Sequence, residues 1–284
     1  MYKYTKINIT RLQLLEDRAI KFIQTISKST DEKLYAGNSG GKDSAILDYL
    51  LQLSGIEYYS MYNNTTIDPK GTIKHIRELY PHTEIIHPKE SFYKLVERKG
   101  LPLRNRRFCC EVLKEYSSIG KKVFEGVRSV ESNGRKNRDY IQCDTRKSQL
   151  GAQHIYPIYD WLDIDVWQYI QWKEIKLAPC YELGLHRLGC VGCCMVTKKG
   201  QRRKEFDLYP KVYIAIRKAI TKGMLKNPQW KISCATDGNG ELAMQWWLSG
   251  KTINEYFKHL YTFEKNKVGW IKTKTNEEQL SFLK

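Results

Sequence analysis

The spacing of apolar side chains predicts that helices and strands alternate over the first two thirds of the chain. Apolar residues recur at steps of three and four from Leu12 to Ile26, which predicts an amphipathic helix. A short strand is predicted at Lys33–Ala36, followed by a helix from Ser44 to Leu53 that Gly55 closes. Further strands are predicted at Ile56–Met61, Glu84–His87, Lys122–Val127 and His154–Ile158, with a helix at Gly71–Tyr80.

This alternation is typical of an α/β fold in which helices cover both faces of a parallel, twisted sheet. Ligands of such sheets bind at the carboxyl ends of the strands. We therefore expect the loops after Ala36, Met61 and Val127 to converge on one crevice.

The last third of the chain is predicted to be mainly helical. Helices are expected at Asp163–Trp172, with Asp163 as the N-cap, at Phe206–Lys222 and at Glu241–Trp247. The sequence contains no internal repeat and no obvious linker. We predict a nucleotide-binding α/β domain over residues 1–200, which includes the cysteine site, and a helical C-terminal extension over residues 201–284.

The net charge of +17 leaves two interpretations open. Excess lysine and arginine can simply keep the surface solvated, or they can attract polyanions such as nucleotides, tRNA or DNA. Basic residues are densest at Arg104–Arg107, Lys198–Lys199 and Arg202–Lys204. Charge alone does not separate the two interpretations.

The eight cysteines are interpreted together with the expected compartment. Met1–Thr10 is polar and lacks the apolar core of a secretion signal, and the longest apolar stretches are too short to span a bilayer. We therefore expect a cytoplasmic protein without membrane association. In a reducing cytosol, clustered cysteines indicate a metal, a cluster or redox chemistry.

A glycine-rich loop, Ser39-Gly40-Gly41-Lys42-Asp43-Ser44, lies between the first predicted strand and the next helix. Glycines let backbone N–H groups point at one spot, and the helix N-terminus adds further donors and a positive dipole end. Lys42 adds a charge for a phosphate oxygen, and both serines add hydroxyl donors. The loop thus suits phosphate or pyrophosphate, although its spacing differs from that of the common nucleotide-hydrolysing loop.

The six loop residues resemble the PP-loop of the ATP pyrophosphatases. The resemblance implies an adenine nucleotide alpha hydrolase-like fold that holds ATP or adenylyl-sulfate and cuts between the α- and β-phosphates. It also implies nucleotide contacts from Ser39–Ser44, catalytic roles for Lys42 and Asp43, and Mg²⁺ bound with the triphosphate.

Two groups of cysteines are candidate ligands. Cys109 and Cys110 are adjacent, and Cys190 and Cys193 form a C-x-x-C pair about eighty residues later, next to Cys194. An iron–sulfur cluster, a structural zinc ion and thiols without metal are all compatible with this pattern, but adjacent cysteines suit a cluster better than one tetrahedral zinc ion.

The cysteine pattern resembles the cluster motif of the phosphoadenosine-phosphosulfate (PAPS) and adenylyl-sulfate reductase family. The resemblance implies that Cys109, Cys110, Cys190 and Cys193 bind a four-iron four-sulfur cluster. The family usually has proline where this chain has Cys194. Cys143, Cys180 and Cys234 are expected to be ordinary buried thiols.

Several arginines are candidate nucleotide ligands. Arg128 follows a predicted strand in Gly126–Ser132, Arg135 and Arg138 come soon after, and the guanidinium group suits phosphate and sulfate oxygens. The reductase family has a similar arginine segment in its site, and it places an arginine, here Arg187, just before the C-x-x-C pair. The alternative is a solvated basic loop.

The reaction is less defined than the fold. The reductases of this family use a cysteine on a mobile C-terminal tail, whereas residues 235–284 contain no cysteine. The first hypothesis is an ATP pyrophosphatase and sulfurtransferase, similar to DNA phosphorothioation enzymes, that activates DNA or tRNA and takes sulfur from a partner such as a cysteine desulfurase. The second is an adenylyl-sulfate or PAPS reductase that works with a thioredoxin-like donor through Cys234 or Cys194. The third is a nucleotide-dependent nucleic-acid-binding protein without turnover.

Overall fold

The computed structural model describes residue 4 and residues 6–275. Contacts divide the chain into two units, the first formed by residues 1–88 and 110–190 and the second by residues 89–109 and 191–284. The second unit contains the predicted extension and, in addition, residues 89–109 and 191–200. A domain boundary near residue 200 stays a prediction.

A six-stranded sheet forms the centre of the first unit. Its strands are β1 (Leu34–Gly37), β2 (Tyr59–Asn63), β3 (Thr83–Ile86), β4 (Lys122–Phe124), β5 (Ile141–Cys143) and β6 (Gln153–Ile155). They lie in the order β3-β2-β1-β4-β6-β5, and every pair is parallel except β5 with β6. The predicted α/β fold with a mostly parallel sheet is confirmed.

The helices of this unit follow the predicted alternation. They are α1 (Ile9–Lys28), α2 (Lys42–Ser54), α3 (Thr72–Leu79), α6 (Asn133–Lys136) and α7 (Asp163–Trp172), while α5 (Phe108–Leu113) crosses the boundary between the units. The apolar stripe of α1 packs in one core with α2, β1 and α7. Fully buried side chains of that core include Leu12, Ile46 and Tyr169. Because this stripe is buried, its positions are apolar, and their spacing predicts the helix from the sequence.

The structure adds one strand to the sequence predictions and corrects two of them. The antiparallel edge strand β5 was not predicted, because three residues are too few to show a period. A single helix over Phe206–Lys222 is wrong, since Pro210 starts a new helix after Tyr209. Asp163 is the first residue of α7 and not its N-cap, which is Leu162.

The second unit is mainly helical, as expected for the extension. Its elements are α4 (Phe92–Lys99), α8 (Gln201–Leu208), α9 (Pro210–Lys226), α10 (Lys231–Thr236), α11 (Gly240–Ser249), α12 (Ile253–Phe257) and the hairpin of β7 (Tyr261–Lys265) and β8 (Trp270–Lys274). Gly223 of α9 allows close contact with α4, since a Cβ atom there would lie 2.6 Å from the Glu97 carbonyl oxygen. Within the residues described in both units, none of the helices combines the length and the apolar character that crossing a bilayer requires.

Candidate functional site

A cavity of about 760 Å³ opens at the carboxyl ends of the central strands of the first unit. Its walls include the loop after β1, Asn63 at the end of β2, Asp68 after β2, and Glu125 and Val127 after β4. This is the crevice that the alternation of strands and helices predicts, at the edge where parallel sheets bind ligands. The volume lies in the range of small-molecule sites.

The glycine-rich loop forms the turn from β1 into α2. Gly40 has a φ of 70°, a left-handed backbone conformation that residues other than glycine rarely adopt. Gly41 is the N-cap of α2. A Cβ atom on Gly40 would lie 3.0 Å from Cδ1 of Ile76. The turn is fixed by the Ser44 hydroxyl, which donates to the Gly41 carbonyl over 2.9 Å.

Side chains of the protein already occupy three backbone donors of this loop. The Gly40 N–H donates to Asn38 Oδ1 over 2.9 Å and the Gly41 N–H to Ser39 Oγ over 3.3 Å. The Lys42 N–H donates to the Tyr181 hydroxyl over 2.9 Å. The first turn of a helix also provides N–H groups without an intrahelical acceptor. A ligand oxygen would thus add to the first-turn donors or replace a hydroxyl such as that of Tyr181.

Asp43 is the electrostatic centre of the loop. Its carboxylate accepts from Lys42 Nζ over 2.5 Å and from Arg128 Nε over 2.8 Å. Lys42 is 7% exposed and lines the cavity, and its ammonium group is paired with the Asp43 carboxylate. The two predicted catalytic residues are therefore adjacent at the cavity.

Arg128 lies behind the loop rather than in the cavity wall. Besides Asp43, its guanidinium donates to Asp163 Oδ1 over 2.7 Å and to the Trp161 carbonyl over 3.3 Å, and the residue is 1% exposed. Burial lowers the pKa of Arg128, but the Asp43 and Asp163 carboxylates outweigh burial and raise it, so the side chain stays charged. This geometry indicates that Arg128 positions Asp43.

Gly126 permits the close approach of this segment to the loop. A Cβ atom at Gly126 would lie 2.7 Å from the Asp43 carbonyl oxygen, so any other residue would push the chain away. Gly126 was noted in the sequence only as a neighbour of Arg128. A glycine inside the predicted strand Lys122–Val127 was the available signal for a close approach of the backbone.

The other predicted arginines lie at the cavity wall. Arg135 is paired with Glu131, and Arg138 donates to the Tyr156 hydroxyl over 3.3 Å. Arg187 lines the cavity and is exposed. Tyr181, Glu125 and His154 also line it and were not predicted from the sequence.

The four predicted cluster ligands are all half-buried cysteines. Cys110 and Cys190 belong to the first unit, and Cys109 and Cys193 to the second. Among the described residues, no three or more His, Cys, Asp or Glu side chains are grouped to hold a metal ion. Four half-buried thiols are nevertheless a donor set of the kind that an iron–sulfur cluster requires.

The remaining cysteines differ from one another in exposure. Cys180 is 2% exposed, and burial raises the pKa of its thiol to about 11. Cys143 is exposed and Cys234 half-buried, so the expectation of buried thiols is wrong for these two. Cys143 is the last residue of the short edge strand β5, which leaves its side chain exposed. No sequence signal marked that strand.

A family model places this site among known proteins. The model described as "Phosphoadenosine phosphosulfate reductase domain" matches residues 33–196, which include the loop and all four candidate cysteine ligands. An uncharacterised protein of Methanocaldococcus jannaschii is 29% identical over 225 residues, 74% of this chain and 54% of the relative. Adenosine 5'-phosphosulfate reductase of Neisseria meningitidis is 28% identical over 44% of this chain and 56% of its own. The chain spans about half the length of the archaeal and neisserial relatives.

Solved structures of similar shape have low sequence identity. A Candida auris PAPS reductase in a phosphate complex aligns with a TM-score of 0.48 and 16% identity, over 66% of this chain and 98% of its own. The U34-tRNA thiolase NcsA of Methanococcus maripaludis, with its [4Fe-4S] cluster, aligns with a TM-score of 0.45 and 14% identity, over 75% of this chain and 79% of its own. Because both scores are below 0.5, the family assignment depends on the family model and the fold on the strand order.

Proposed function

The chain belongs to the phosphoadenosine phosphosulfate reductase domain family, and we propose that it is an ATP pyrophosphatase and sulfurtransferase that activates a DNA or tRNA acceptor. The observation that carries the proposal is the loop Ser39–Ser44 in the wall of the cavity, with the buried Lys42 as its cationic residue. An ammonium group at a helix N-terminus favours the binding of a polyphosphate.

In the proposed reaction, the loop holds the phosphates of ATP and the acceptor attacks the α-phosphorus, which releases pyrophosphate. Lys42 neutralises charge that develops on the phosphate oxygens, and Mg²⁺ enters with the triphosphate. Asp43, fixed by Arg128, orients Lys42. Arg135 and Arg187 at the cavity wall are proposed as further nucleotide contacts. The outer sulfur of a partner's cysteine persulfide then attacks the activated acceptor atom, so that a bond to sulfur forms and the bond to AMP breaks. A second thiol of that partner attacks the inner sulfur, the S–S bond breaks and the partner is left with a disulfide.

The exposed basic residues support a nucleic-acid acceptor. Arg104 and Arg106 are exposed in the second unit, as are Arg203 and Lys204. Arg202 is not part of such a surface, because its Nη1 donates to the Trp247 carbonyl over 2.7 Å and its guanidinium stacks on the Trp247 ring. Phosphate contacts from the exposed residues would make acceptor binding fall steeply with salt.

We also propose Cys109, Cys110, Cys190 and Cys193 as ligands of a four-iron four-sulfur cluster. The support is the chemistry of the donor set and its spacing, because half-buried thiols are soft ligands that suit iron and sulfide. A bound cluster would supply iron that can bind sulfur.

One preparation tests these proposals together. The protein is purified without oxygen, its iron, zinc and sulfide are measured, and pyrophosphate release from ATP is assayed with tRNA and with DNA. We expect iron and sulfide in equal amounts, and pyrophosphate release that depends on one acceptor. Zinc without iron would overturn the cluster, and absence of acceptor-dependent release would overturn the reaction.

An adenylyl-sulfate or PAPS reductase is the second candidate, favoured by the family model and by the neisserial relative. The nucleophile would then be Cys234, which is half-buried, or Cys194, which is 9% exposed. Reduction of adenylyl-sulfate with thioredoxin, lost in Cys234→Ala or Cys194→Ala, would favour this candidate. ATP and DNA binding without any pyrophosphate release would instead favour a protein without turnover.

A further inference from the structure

A group of polar side chains forms the part of the cavity wall beyond the glycine-rich loop. This polar lobe consists of Glu125, Arg138, Gln142, His154 and Tyr156. Gln142 and His154 are opposite each other in the β5–β6 pair, so their side chains share one face of the sheet. Tyr156 joins the lobe by donating its hydroxyl hydrogen to Gln142 Oε1 over 3.2 Å. The residues proposed above as phosphate contacts lie outside this lobe.

The centre of the polar lobe is a carboxylate–imidazole pair. His154 Nδ1 lies 3.3 Å from Glu125 Oε1, and His154 is 5% exposed. Nδ1 is buried, and among the described residues it has no hydrogen bond of good geometry. Nδ1 and Glu125 Oε1 are therefore within ion-pair distance, but they are not aligned as a hydrogen bond. A nine-tenths-buried imidazole with an unfulfilled nitrogen at a cavity wall indicates that a ligand or a moving carboxylate completes the site.

The other ring nitrogen of His154 is held by the protein. Gln149 Nε2 lies 3.2 Å from His154 Nε2 and donates to Ser118 Oγ over 2.9 Å. Gln149 Oε1 accepts from Arg146, so the amide nitrogen is the atom that faces the ring. The neutral ring then accepts at Nε2 and carries its hydrogen at Nδ1, towards Glu125.

Glu125 connects this pair to the loop. Its Cγ lies 3.7 Å from the position that a Cβ atom would take on Gly37, where β1 enters the loop. Glu125 is half-buried, whereas His154 behind it is buried, so the carboxylate is the member of the pair that a substrate can reach. The Glu125 side chain therefore lies near the end of β1, and its carboxylate contacts the imidazole.

We propose that Glu125 is the general base of the adenylation step and that His154 is its positioning residue, so that the polar lobe is the subsite for the acceptor. This inference rests on the proposed function. An acceptor atom that carries a proton, such as a hydroxyl oxygen or an N–H nitrogen, forms a bond to the α-phosphorus, and the bond between that phosphorus and the oxygen that bridges it to the β-phosphorus breaks. The electron pair of the broken bond leaves with pyrophosphate. The proton that the acceptor loses goes to the Glu125 carboxylate, and the neutral His154 ring positions that carboxylate by directing its Nδ1–H towards it.

The charges around His154 agree with such a role. Burial lowers the pKa of His154, but Glu125 and Asp144 outweigh burial and the opposing charge of Arg146, so the pKa is raised above its ordinary value. Below the raised pKa of His154 the imidazole carries a second proton, and the Glu125–His154 pair then accepts a further proton less readily. The rate of adenylation should therefore fall as the pH falls through it.

The alternative is that His154 is a buried residue that only holds β6 against β4. A structural role would lower stability in His154→Gln without a change in the pH profile of the reaction. A role in proton transfer changes that profile, because the glutamine side chain that replaces the imidazole cannot titrate. The two roles are therefore separable by measurement.

The test compares wild-type protein with Glu125→Gln, Glu125→Asp, His154→Gln and the control Glu57→Gln, an exposed carboxylate outside the cavity. ATP affinity is measured by calorimetry, and pyrophosphate release is measured over a pH range from mildly acidic to mildly basic, with tRNA and with DNA. We expect Glu125→Gln to slow release by about a hundredfold or more, with ATP affinity within about threefold of wild type. Glu125→Asp should retain an intermediate rate, and Glu57→Gln the full rate. His154→Gln should move the acidic limb of the pH profile to lower pH.

Each outcome decides the inference. A Glu125→Gln variant that releases pyrophosphate at close to the wild-type rate overturns it, as does a His154→Gln profile with the wild-type acidic limb. A wild-type protein that binds ATP but releases no pyrophosphate with any acceptor overturns the proposed function and this inference with it. The first two results leave the proposed function intact, so the failures are distinguishable.

Discussion

Arg128 Nε donates to Asp43 Oδ1 over 2.8 Å, and the side chain of Arg128 is only 1% exposed. This contact joins the segment after β4 to the first turn of α2. It makes a buried arginine part of the support for the loop, and it explains why a residue predicted to bind the nucleotide does not line the cavity.

Replacement of Arg128 should lower the stability of the fold by more than the loss of an exposed ion pair does. Arg128→Met leaves Asp43 without its buried partner, and we expect the free energy of unfolding to fall by about 3–5 kcal/mol. Arg128→Lys keeps the charge but not the forked guanidinium donors. Its free energy of unfolding should therefore lie between those of wild type and Arg128→Met. Arg18→Met is the control, because Arg18 is 59% exposed in its pair with Asp160 and should contribute about 1 kcal/mol or less. Urea denaturation measures all three, and equal losses in Arg128→Met and Arg18→Met would contradict the account.

Gly40 should tolerate a side chain less well than a glycine of the same backbone conformation elsewhere. Gly40→Ala and Gly55→Ala both place alanine at a φ near 70°, which costs about 1–2 kcal/mol. Only at Gly40 does the new Cβ atom meet Ile76, at 3.0 Å, whereas nothing lies within 4 Å at Gly55. We therefore expect the greater loss of stability in Gly40→Ala by chemical denaturation. A Gly55→Ala variant as unstable as Gly40→Ala would show that the loop is not tightly packed.

The Arg11–Asp165 pair between α1 and α7 should make stability depend on pH. Burial raises the pKa of Asp165, but Arg11 and the Leu162 N–H outweigh burial and lower it below its ordinary value. A lowered pKa stabilises the fold above the unfolded-state pKa of 3.8, and this stabilisation is lost as the pH falls through the folded-state pKa. Arg11→Met should therefore be about 1–3 kcal/mol less stable than wild type near neutral pH, with a smaller gap near pH 3. A gap that stays constant over this range, measured by denaturation at each pH, would contradict the assignment.

Thiol reactivity should separate Cys143 from Cys180. Burial raises the pKa of Cys180 to about 11, so it carries little thiolate at pH 8, and its side chain is closed to reagents. Cys143 is exposed. Iodoacetamide labelling followed by peptide mass spectrometry should therefore find Cys143 modified first, and both cysteines should react at similar rates in urea as a control. Early labelling of Cys180 in the folded protein would show that its pocket opens.

The fold was predictable because its signals are local. The α1 stripe, the glycine after α2 and the strand–loop–helix transition at Ser39–Ser44 are each set by residues close in sequence. The edge strand β5 and the break at Pro210 were missed, the first because it is short and the second because the apolar spacing continues across the proline.

The candidate site was predicted in part, for a physical reason. Lys42 and Asp43 lie in a recognisable loop, whereas Tyr181 reaches the same loop from a position 139 residues away. Glu125 and His154 meet only because β4 and β6 are neighbours in the sheet. Strand order is not encoded in any local pattern, so this pair and the role of Arg128 required the structure.

The central claim is that the loop around Lys42 binds the phosphates of an adenine nucleotide. Calorimetric titration with ATP and magnesium, on wild type, Lys42→Met and the exposed control Lys28→Met, tests it most directly. We predict that wild type and Lys28→Met bind equally and that Lys42→Met binds about tenfold or more weakly, since a charged hydrogen bond contributes about 1.5–3 kcal/mol. A wild-type protein that does not bind ATP, or a Lys42→Met variant that binds it as tightly as wild type, would contradict the claim.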